Sequence, residues 1–397
     1  MLNSRASAPA SFCAPADHGI YLTTRRFASL DGWRAVAIIA VIFHHTLAQS
    51  FSAPIAAQGR HAVTLFFVIS GFLIVTLILR SKDINGRFSL PKFWGRRVLR
   101  IFPIYYGALL LYTVLVHLTE HSTYGEAFTR NLPFFASFTT NWFVTESSHT
   151  IFFFSWSIAA EEQFYLMWPI IEAVLARPSH IFMLLGVLII VSQYLLGHYT
   201  PGAGGLLMRV LYYIPLGIML GTALAHILHE KRSFRGAYIL FGQRGSGFAV
   251  LGFAVGVMLI APYIGFAGEV LVAVAMLGLV ASCVIREDND LARFLRWPPL
   301  VWVGTVSYGM YMLHMLAVNI VRKIEHVAHI NTPYIDFAGG LLMALILASG
   351  SFMLYERPFL ILKEKLFREA KPAMPPAPTV MENLGGPPSI PSERLTA

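Results

Sequence analysis

The sequence predicts an all-α fold, a polytopic integral membrane protein of about ten transmembrane helices with its N- and C-termini cytoplasmic. Three observations predict it. Of the 397 residues, 56% are hydrophobic and only 13% charged, about half the charged fraction of an ordinary soluble domain. Ten segments approach the run of about 20 apolar residues that a membrane-spanning helix needs. The 30 Lys and Arg residues gather between alternate segments, as the positive-inside rule demands.

The segments run approximately from Ala35 to Phe51, Ala62 to Leu79, Ile101 to Leu118, Ile151 to Leu175, Ile181 to Leu196, Val210 to Leu228, Phe248 to Phe266, Val270 to Ile285, Leu300 to Val321 and Phe337 to Tyr355. One short or interrupted span is allowed in that count. Residues 1–29 form a polar leader, expected to be disordered. They lack the apolar stretch of a cleavable signal, and Arg25 and Arg26 precede the first span, so that span is expected to start in the cytoplasm and persist in the mature protein. With ten spans every Lys and Arg falls inside except Arg60, Arg130, Arg209, Arg322 and Lys323; seven lie between Arg80 and Arg100. The net charge of +9 then follows from orientation, and no nucleic-acid partner is implied. Residues 30–360 make one transmembrane domain in contact with the lipid bilayer. Residues 361–397 read as a Pro/Gly-rich cytoplasmic tail, also expected to be disordered. Cys13 and Cys283 lie in the leader and in a span, without metal-ligand company, so no metal site is expected.

Ionisable groups at membrane depth are costly and mark functional sites by default. In "RAVAIIAVIFHH", Arg34 to His45, eleven positions at 100° return to within about 20° of the same face, roughly 16 Å further along the axis. His44 falls about 80° away. Arg34 and His45 suit a long ligand, anionic at the inner end and reactive at the outer; a snorkelling arginine and a core histidine are the plain alternative. In "SWSIAAEEQFYLMWP" two adjacent carboxylates, Glu161 and Glu162, enter an aromatic span, and Glu161, Tyr165, Trp168 and Glu172 share one helix face. Buried carboxylates need partners, and an imidazole is an obvious one. Ser70, in "TLFFVISGFLI", offers a hydroxyl beside Gly71, although packing explains both. Ser307, Tyr311 and His314 fall on one stripe of "VSYGMYMLH", suited to a polar substrate or to bridging helices. His45, Ser70, Glu161 and His314 all come out roughly 9 to 14 Å below the outer surface. At the inner face Arg97 and Arg100, three apart in "FWGRRVLRIFP", point the same way and offer forked donors to an anion such as phosphate.

These blocks, with "SLDGWRAVAIIAVIFHH" and "YERPF", occur in the order seen in acyltransferase family 3, and the chain resembles that family from about Phe27 to Phe359. The family comprises integral-membrane O-acyltransferases that modify bacterial glycans and related acceptors at the inner membrane. The resemblance implies that Arg34 and His45 match the family's Arg and His separated by ten residues, with His45 catalytic. It implies that Arg97 and Arg100 contact acyl-CoA, a co-substrate rather than a bound cofactor, acetyl being the commonest acyl group. Glu161 matches the glutamate of the family's Ser-Leu-x-x-Glu-x-x-Phe-Tyr block, with Ile158 in place of the Leu. Thr64 stands where many members carry Asp, which puts an acceptor contact by that acid in doubt. Some relatives append a soluble hydrolase-like domain after the last span; here a short tail follows, so the chain is expected to complete the transfer itself or pass its product on.

The expected reaction docks the phosphates of acyl-CoA on Arg34, Arg97 and Arg100 and threads the pantetheine arm outward between helices. His45 is the general base on a carbohydrate hydroxyl, with Glu161 orienting its imidazole; Ser70, Glu162, Tyr311 and His314 are candidate substrate contacts. A proton-coupled transporter or flippase of a polar or lipid-linked solute is the alternative, since mid-membrane His and Glu suit it equally. Against it, the sequence offers no paired Gly/Pro-broken helices in two similar halves. A non-catalytic membrane scaffold would not need ionisable groups at a shared depth.

Overall fold

The computed structural model describes residues 18–24, 26–50, 56–86, 88–144, 150–175, 177–200, 204–329 and 332–367, and among them there is no strand. The principal helices are α1 (His18–Thr23), α2 (Ala28–His45), α3 (Ala62–Asn85), α4 (Leu90–Thr119), α5 (Thr123–Ala136), α6 (Ser155–Val174), α7 (Pro178–His198), α8 (Leu206–Tyr212), α9 (Leu216–His229), α10 (Lys231–Phe241), α11 (Ser246–Ile260), α12 (Phe266–Ile285), α13 (Pro298–Thr305), α14 (Ser307–Val327), α15 (Pro333–Ser351) and α16 (Arg357–Leu366). Proline opens α4, α7, α13 and α15, where its missing N–H forfeits no intrahelical bond. Helix α3 stops at Gly86 in the left-handed region, φ 66°, where a Cβ would be strained.

By length and apolarity six helical stretches can cross a membrane, and eight can if each of two bent pairs counts once. The ten crossings expected from the sequence are not all met by that measure. The two expected spans outside it are α2 and α6. Their own polar residues account for this: Asp31, Arg34, His44 and His45 on α2, and Glu161, Glu162 and Glu172 on α6. The bent pairs are α8 with α9, at 62°, and α13 with α14, at 76°. The sequence allowed for one short or interrupted span, without placing it; two are bent here. Both lie in the second half of the chain.

Long-range polar contacts sort by the end of the bundle at which they lie. At one end Arg80 donates to the carbonyls of Tyr21 and Thr24, Lys82 meets Glu172, and His229 meets Asp83. At the other, Arg60 pairs with Glu269 at 2.7 Å and Arg322 with Asp336 at 3.1 Å. None of these pairs joins a residue expected inside to one expected outside. Large apolar side chains such as Leu110, Ile190, Leu207 and Leu354 are exposed along the helices, which suits a surface whose solvent is lipid.

Helix α2 is central. It packs against α3, α12, α13, α14 and α15, with Ala35, Ala37, Ile38 and Ile42 buried. Its small residues allow the approach: a Cβ on Gly32 would collide with the Leu295 carbonyl, and one on Gly304 of α13 with the Asp31 carbonyl. Helices α3 and α9 use the same device. Gly71 lies against the Ile218 carbonyl, Gly221 against that of Val68, and a Cβ on Gly217 would stand 2.9 Å from the Thr64 carbonyl. Thr64 thus sits at a helix contact.

Residues 18–24 of the expected leader include α1, tied down by His18 Nε2 to the Leu228 carbonyl at 3.0 Å and by Tyr21 against Phe27 and Phe234. Of the stretch expected as a polar leader, His18–Thr23 is thus helical and packed through His18 and Tyr21. Residues 1–17, including Cys13, lie outside the described residues. The tail likewise begins as helix α16, reached through a single π-turn at Phe352–Glu356; residues 368–397 lie outside the described residues.

Gly221→Val should overpack the α3–α9 contact by about 1–3 kcal/mol and lower the thermal midpoint of the detergent-purified protein by roughly 5 °C. Gly252→Val, where an added Cβ meets nothing within 4 Å, should leave the midpoint unchanged. Equal behaviour of the two variants would contradict the close-packed contact.

Candidate active site

The site runs between the two ends of α2. At the first, α2 supplies Arg34 and α4 supplies Arg97 and Arg100, and the three guanidiniums lie close enough to repel one another. Arg34 has the Asp31 carboxylate at 3.3 Å, an acid that Arg26 also claims, at 2.6 Å. Among the described residues no carboxylate forms a salt bridge with Arg97 or Arg100. Arg97 instead lies over the rings of Phe93 and Tyr165, at 5.6 and 5.4 Å, which holds a cation by its ring quadrupoles without neutralising it. Glu161 and Glu162 are within electrostatic reach of Arg97, and Glu356 of Arg100. The three guanidiniums share one salt-bridged carboxylate, Asp31, with three glutamates at longer range, which makes the group a candidate anion site. The cluster expected from spacing is thus assembled.

One tier further on, Ser70 of α3 donates to Glu161 Oε1 at 2.9 Å, and Tyr165 donates to Glu161 Oε2 at 3.0 Å. The Tyr165 bond is the i,i+4 pairing that the helical face implied. Ser70 and Gly71 divide two roles, the hydroxyl serving the carboxylate and the glycine the packing against α9. Glu162 points elsewhere: its Oε1 is buried without a hydrogen-bond partner, as is the Tyr308 hydroxyl, and the two are electrostatic neighbours.

At the far end of α2 the rings of His45 and His314 stand 5.2 Å apart. His314 Nδ1 lies 2.6 Å from the Tyr311 carbonyl. The Tyr311 hydroxyl is held by Ser157 Oγ at 2.7 Å and by the Phe154 carbonyl at 3.0 Å. Arg322 donates to the His45 carbonyl at 3.2 Å, fixing the helix end without touching the imidazole. His44 is on a different face, its ring 5.3 Å from that of His45.

The shared depth inferred from the sequence therefore resolves into two tiers, Ser70 with Glu161 and His45 with His314, separated by one turn of α6 between Ser157 and Glu161. The expected partnership of Glu161 with His45 is not formed: the carboxylate meets the hydroxyls of Ser70 and Tyr165, and it is not among the groups that act on His45. Glu172, on the same face of α6 as Glu161, belongs to neither tier. It is buried and held by His226 at 2.7 Å, Trp168 at 3.1 Å and Lys82 at 3.3 Å, a structural ion cluster that ties α3, α6 and α9 together. Ser157 and Tyr308 escaped the sequence reading. Ser157 precedes Glu161 by four residues, so helical spacing could have found it; no local signal marks Tyr308. Among the described residues no group of His, Cys, Asp and Glu side chains could hold a metal ion.

An acyltransferase domain model, that of acyltransferase family 3, matches residues 27–353. The chain belongs to this family. It is 28% identical over 332 residues to the peptidoglycan O-acetyltransferase OatA of Listeria monocytogenes, covering 76% of this chain and 51% of that protein. It is 27% identical over 364 residues to YrhL of Bacillus subtilis, provisionally named a peptidoglycan O-acetyltransferase, covering 84% and 55%. A provisionally named O-acetyltransferase of Staphylococcus aureus is 26% identical, covering 85% and 58%. The chain spans about half the length of these family members. No solved structure matches it. Membership and the apolar helices together make it a multi-pass bacterial membrane protein.

Ser70→Ala should leave the buried Glu161 carboxylate one donor short and destabilise the protein by about 1.5–3 kcal/mol, read as a lower unfolding midpoint. Ser70→Thr, which keeps the hydroxyl, should recover most of that loss. A Thr variant no better than Ala would argue against the Ser70 bond.

Proposed function

We propose that this family member is a membrane O-acyltransferase that moves an acyl group, acetyl by preference, from acyl-CoA to a hydroxyl of a glycan or related carbohydrate acceptor. The donor is held from the cytoplasmic side and the acceptor is reached at the outer side, across ten spans with both termini inside. The observation that carries this reading is the grouping of Arg34, Arg97 and Arg100 at one end of α2 and of the paired imidazoles at the other. The family and the names of its O-acetyltransferase relatives support it.

In this reading the three guanidiniums take the phosphates of CoA, which carry several negative charges. The pantetheine arm runs beside α2 past Glu162 and Tyr308, whose unsatisfied polar atoms suit its amide and hydroxyl groups. Roughly 16 Å along the helix, it delivers the thioester to His45. His45 removes the acceptor hydroxyl proton as the oxygen attacks the thioester carbon. The tetrahedral intermediate collapses with loss of the C–S bond, and the proton on His45 passes to the departing thiolate. Glu161 serves this reading differently from the sequence expectation. It balances Arg97 and Arg34, within whose reach it lies, and ties α3 to α6 between the two ends.

Transport of a polar or lipid-linked solute is the second reading, favoured by the two bent helix pairs. Transporters place their breaks at corresponding positions of two repeats, and both breaks here lie in the second half. Incubation of the purified protein with labelled acetyl-CoA and candidate glycans decides between them. Label in the acceptor supports the transferase; ion-driven uptake into vesicles without label transfer supports the transporter.

His45→Ala should lower turnover by about 10³-fold or more while leaving expression and the unfolding midpoint intact. Retained turnover would defeat the base assignment. The double substitution Arg97→Ala with Arg100→Ala should raise the KM for acetyl-CoA by at least about tenfold, the loss of two charge-assisted contacts, with a smaller effect on kcat. An unchanged dependence on acetyl-CoA concentration would remove the arginines from the donor site.

A further inference from the structure

The hydrogen bonds at the histidine end leave one lone pair unassigned. His314 is fully buried, and its Nδ1 lies against the Tyr311 carbonyl oxygen. A carbonyl oxygen only accepts, so Nδ1 carries a proton and Nε2 of the neutral ring is a bare acceptor. That Nε2 is buried and has no hydrogen-bond partner. An empty buried acceptor is destabilising and calls for a group that fills it.

Three rings enclose His314: Phe154 at 5.1 Å, Tyr311 at 5.5 Å and His45 at 5.2 Å between centres. Phe154 has no donor, and the Tyr311 hydroxyl is held by Ser157 and the Phe154 carbonyl. His45 is the one of the three with a ring N–H to give. Two imidazoles joined by one N–H···N bond have centres about 5 Å apart, from about 3 Å between the nitrogens and roughly 1 Å within each ring. The observed separation already meets this, and a turn of the His45 ring completes the bond. Glu161 is not His45's partner here: its two oxygens take the hydroxyls of Ser70 and Tyr165, and among the charged groups acting on His45 are His44 and Arg322 but not Glu161.

We propose that His314 is the positioning residue of His45, its Nε2 accepting the His45 N–H so that the other His45 nitrogen meets the acceptor hydroxyl as a bare lone pair. The inference rests on the reading of His45 as the general base. During transfer the hydroxyl proton moves to the bare nitrogen, and the resulting imidazolium keeps its second N–H on His314. When the C–S bond breaks, the first proton leaves with the thiolate. His314 ends the cycle with the protons it began with. A neutral imidazole thereby does the work that a carboxylate does in the Ser-His-Asp arrangement, without a second buried charge beside the substrate.

The test uses the full-length protein in nanodiscs with labelled acetyl-CoA and an acceptor that the wild type acetylates. His314→Asn keeps a donor near the Nδ1 position and loses the acceptor at Nε2; His314→Gln places an amide oxygen near Nε2. Asn should lower kcat by about 100-fold with the KM for acetyl-CoA within about threefold, and Gln should restore at least about tenfold over Asn. Equal losses in the two variants, or a change confined to KM, would overturn the pairing. Should neither variant fold, the ¹⁵N-histidine spectrum of the wild-type protein decides: a coupling across a hydrogen bond from a His45 N–H to a bare His314 Nε2 upholds the proposal, and a His314 Nε2 that is protonated or shows no such coupling ends it. An active His45→Ala variant would remove the base reading itself; an inactive one beside a fully active His314→Asn variant would remove only the pairing.

Discussion

Glu161 is the interaction on which the rest of the site depends. A carboxylate in the middle of an apolar bundle is tolerable only if its oxygens are filled and a cation lies within reach. Here Ser70 and Tyr165 supply the two donors, and Arg97 and Arg34 supply the field. That requirement brings α3, α4 and α2 up to α6 at one level. The helices can meet so closely because glycines at 32, 71, 221 and 304 remove the Cβ atoms that would keep them apart. Polar satisfaction and small-residue packing are therefore two sides of one constraint.

From that anchor the two ends of the site acquire opposite characters. The arginine end is over-provided with positive charge: three guanidiniums share little beyond Asp31 and the more distant glutamates, and Arg97 is stabilised by aromatic faces that leave its charge available. The histidine end has one nearby cation, Arg322, which is paired with Asp336 and held on the His45 carbonyl. His314 Nδ1 and the Tyr311 hydroxyl are bound to carbonyls and a hydroxyl, and the Nε2 of His314 is buried without a partner. A donor with an anionic head and a neutral reactive end would find complementary surroundings at each end of one central helix. The Glu172 cluster lies outside this path and acts as a cross-brace, since its carboxylate already has three partners.

Much of this was legible from spacing. The positions of Arg34 and His45 on one face, the joint direction of Arg97 and Arg100, and the Glu161–Tyr165 pairing all lie within single helices, where 3.6-residue periodicity states which side chains are neighbours. The membrane character followed from composition, because a chain with so few charges cannot cover its surface for water. The count of spans was less secure for a physical reason: the residues that build the site, on α2 and α6, are those that lower the apolarity by which a span is recognised. The breaks before α9 and α14 likewise left no decisive mark, since Pro215 and the Thr305–Ser307 stretch resemble ordinary helix-boundary residues.

By itself, then, the sequence determined the family, the helical class, and which residues of each helix look inward together. Only the tertiary structure decided which inward-looking residues meet. It gave Glu161 to two hydroxyls instead of an imidazole, set His314 beside His45, and sent Glu172 to His226 and Lys82. The reason is that periodicity fixes a residue's angle about its own helix axis, whereas partners across helices depend on the relative height and rotation of each helix. Those are set by where glycines and alanines let backbones touch, which no single helix encodes.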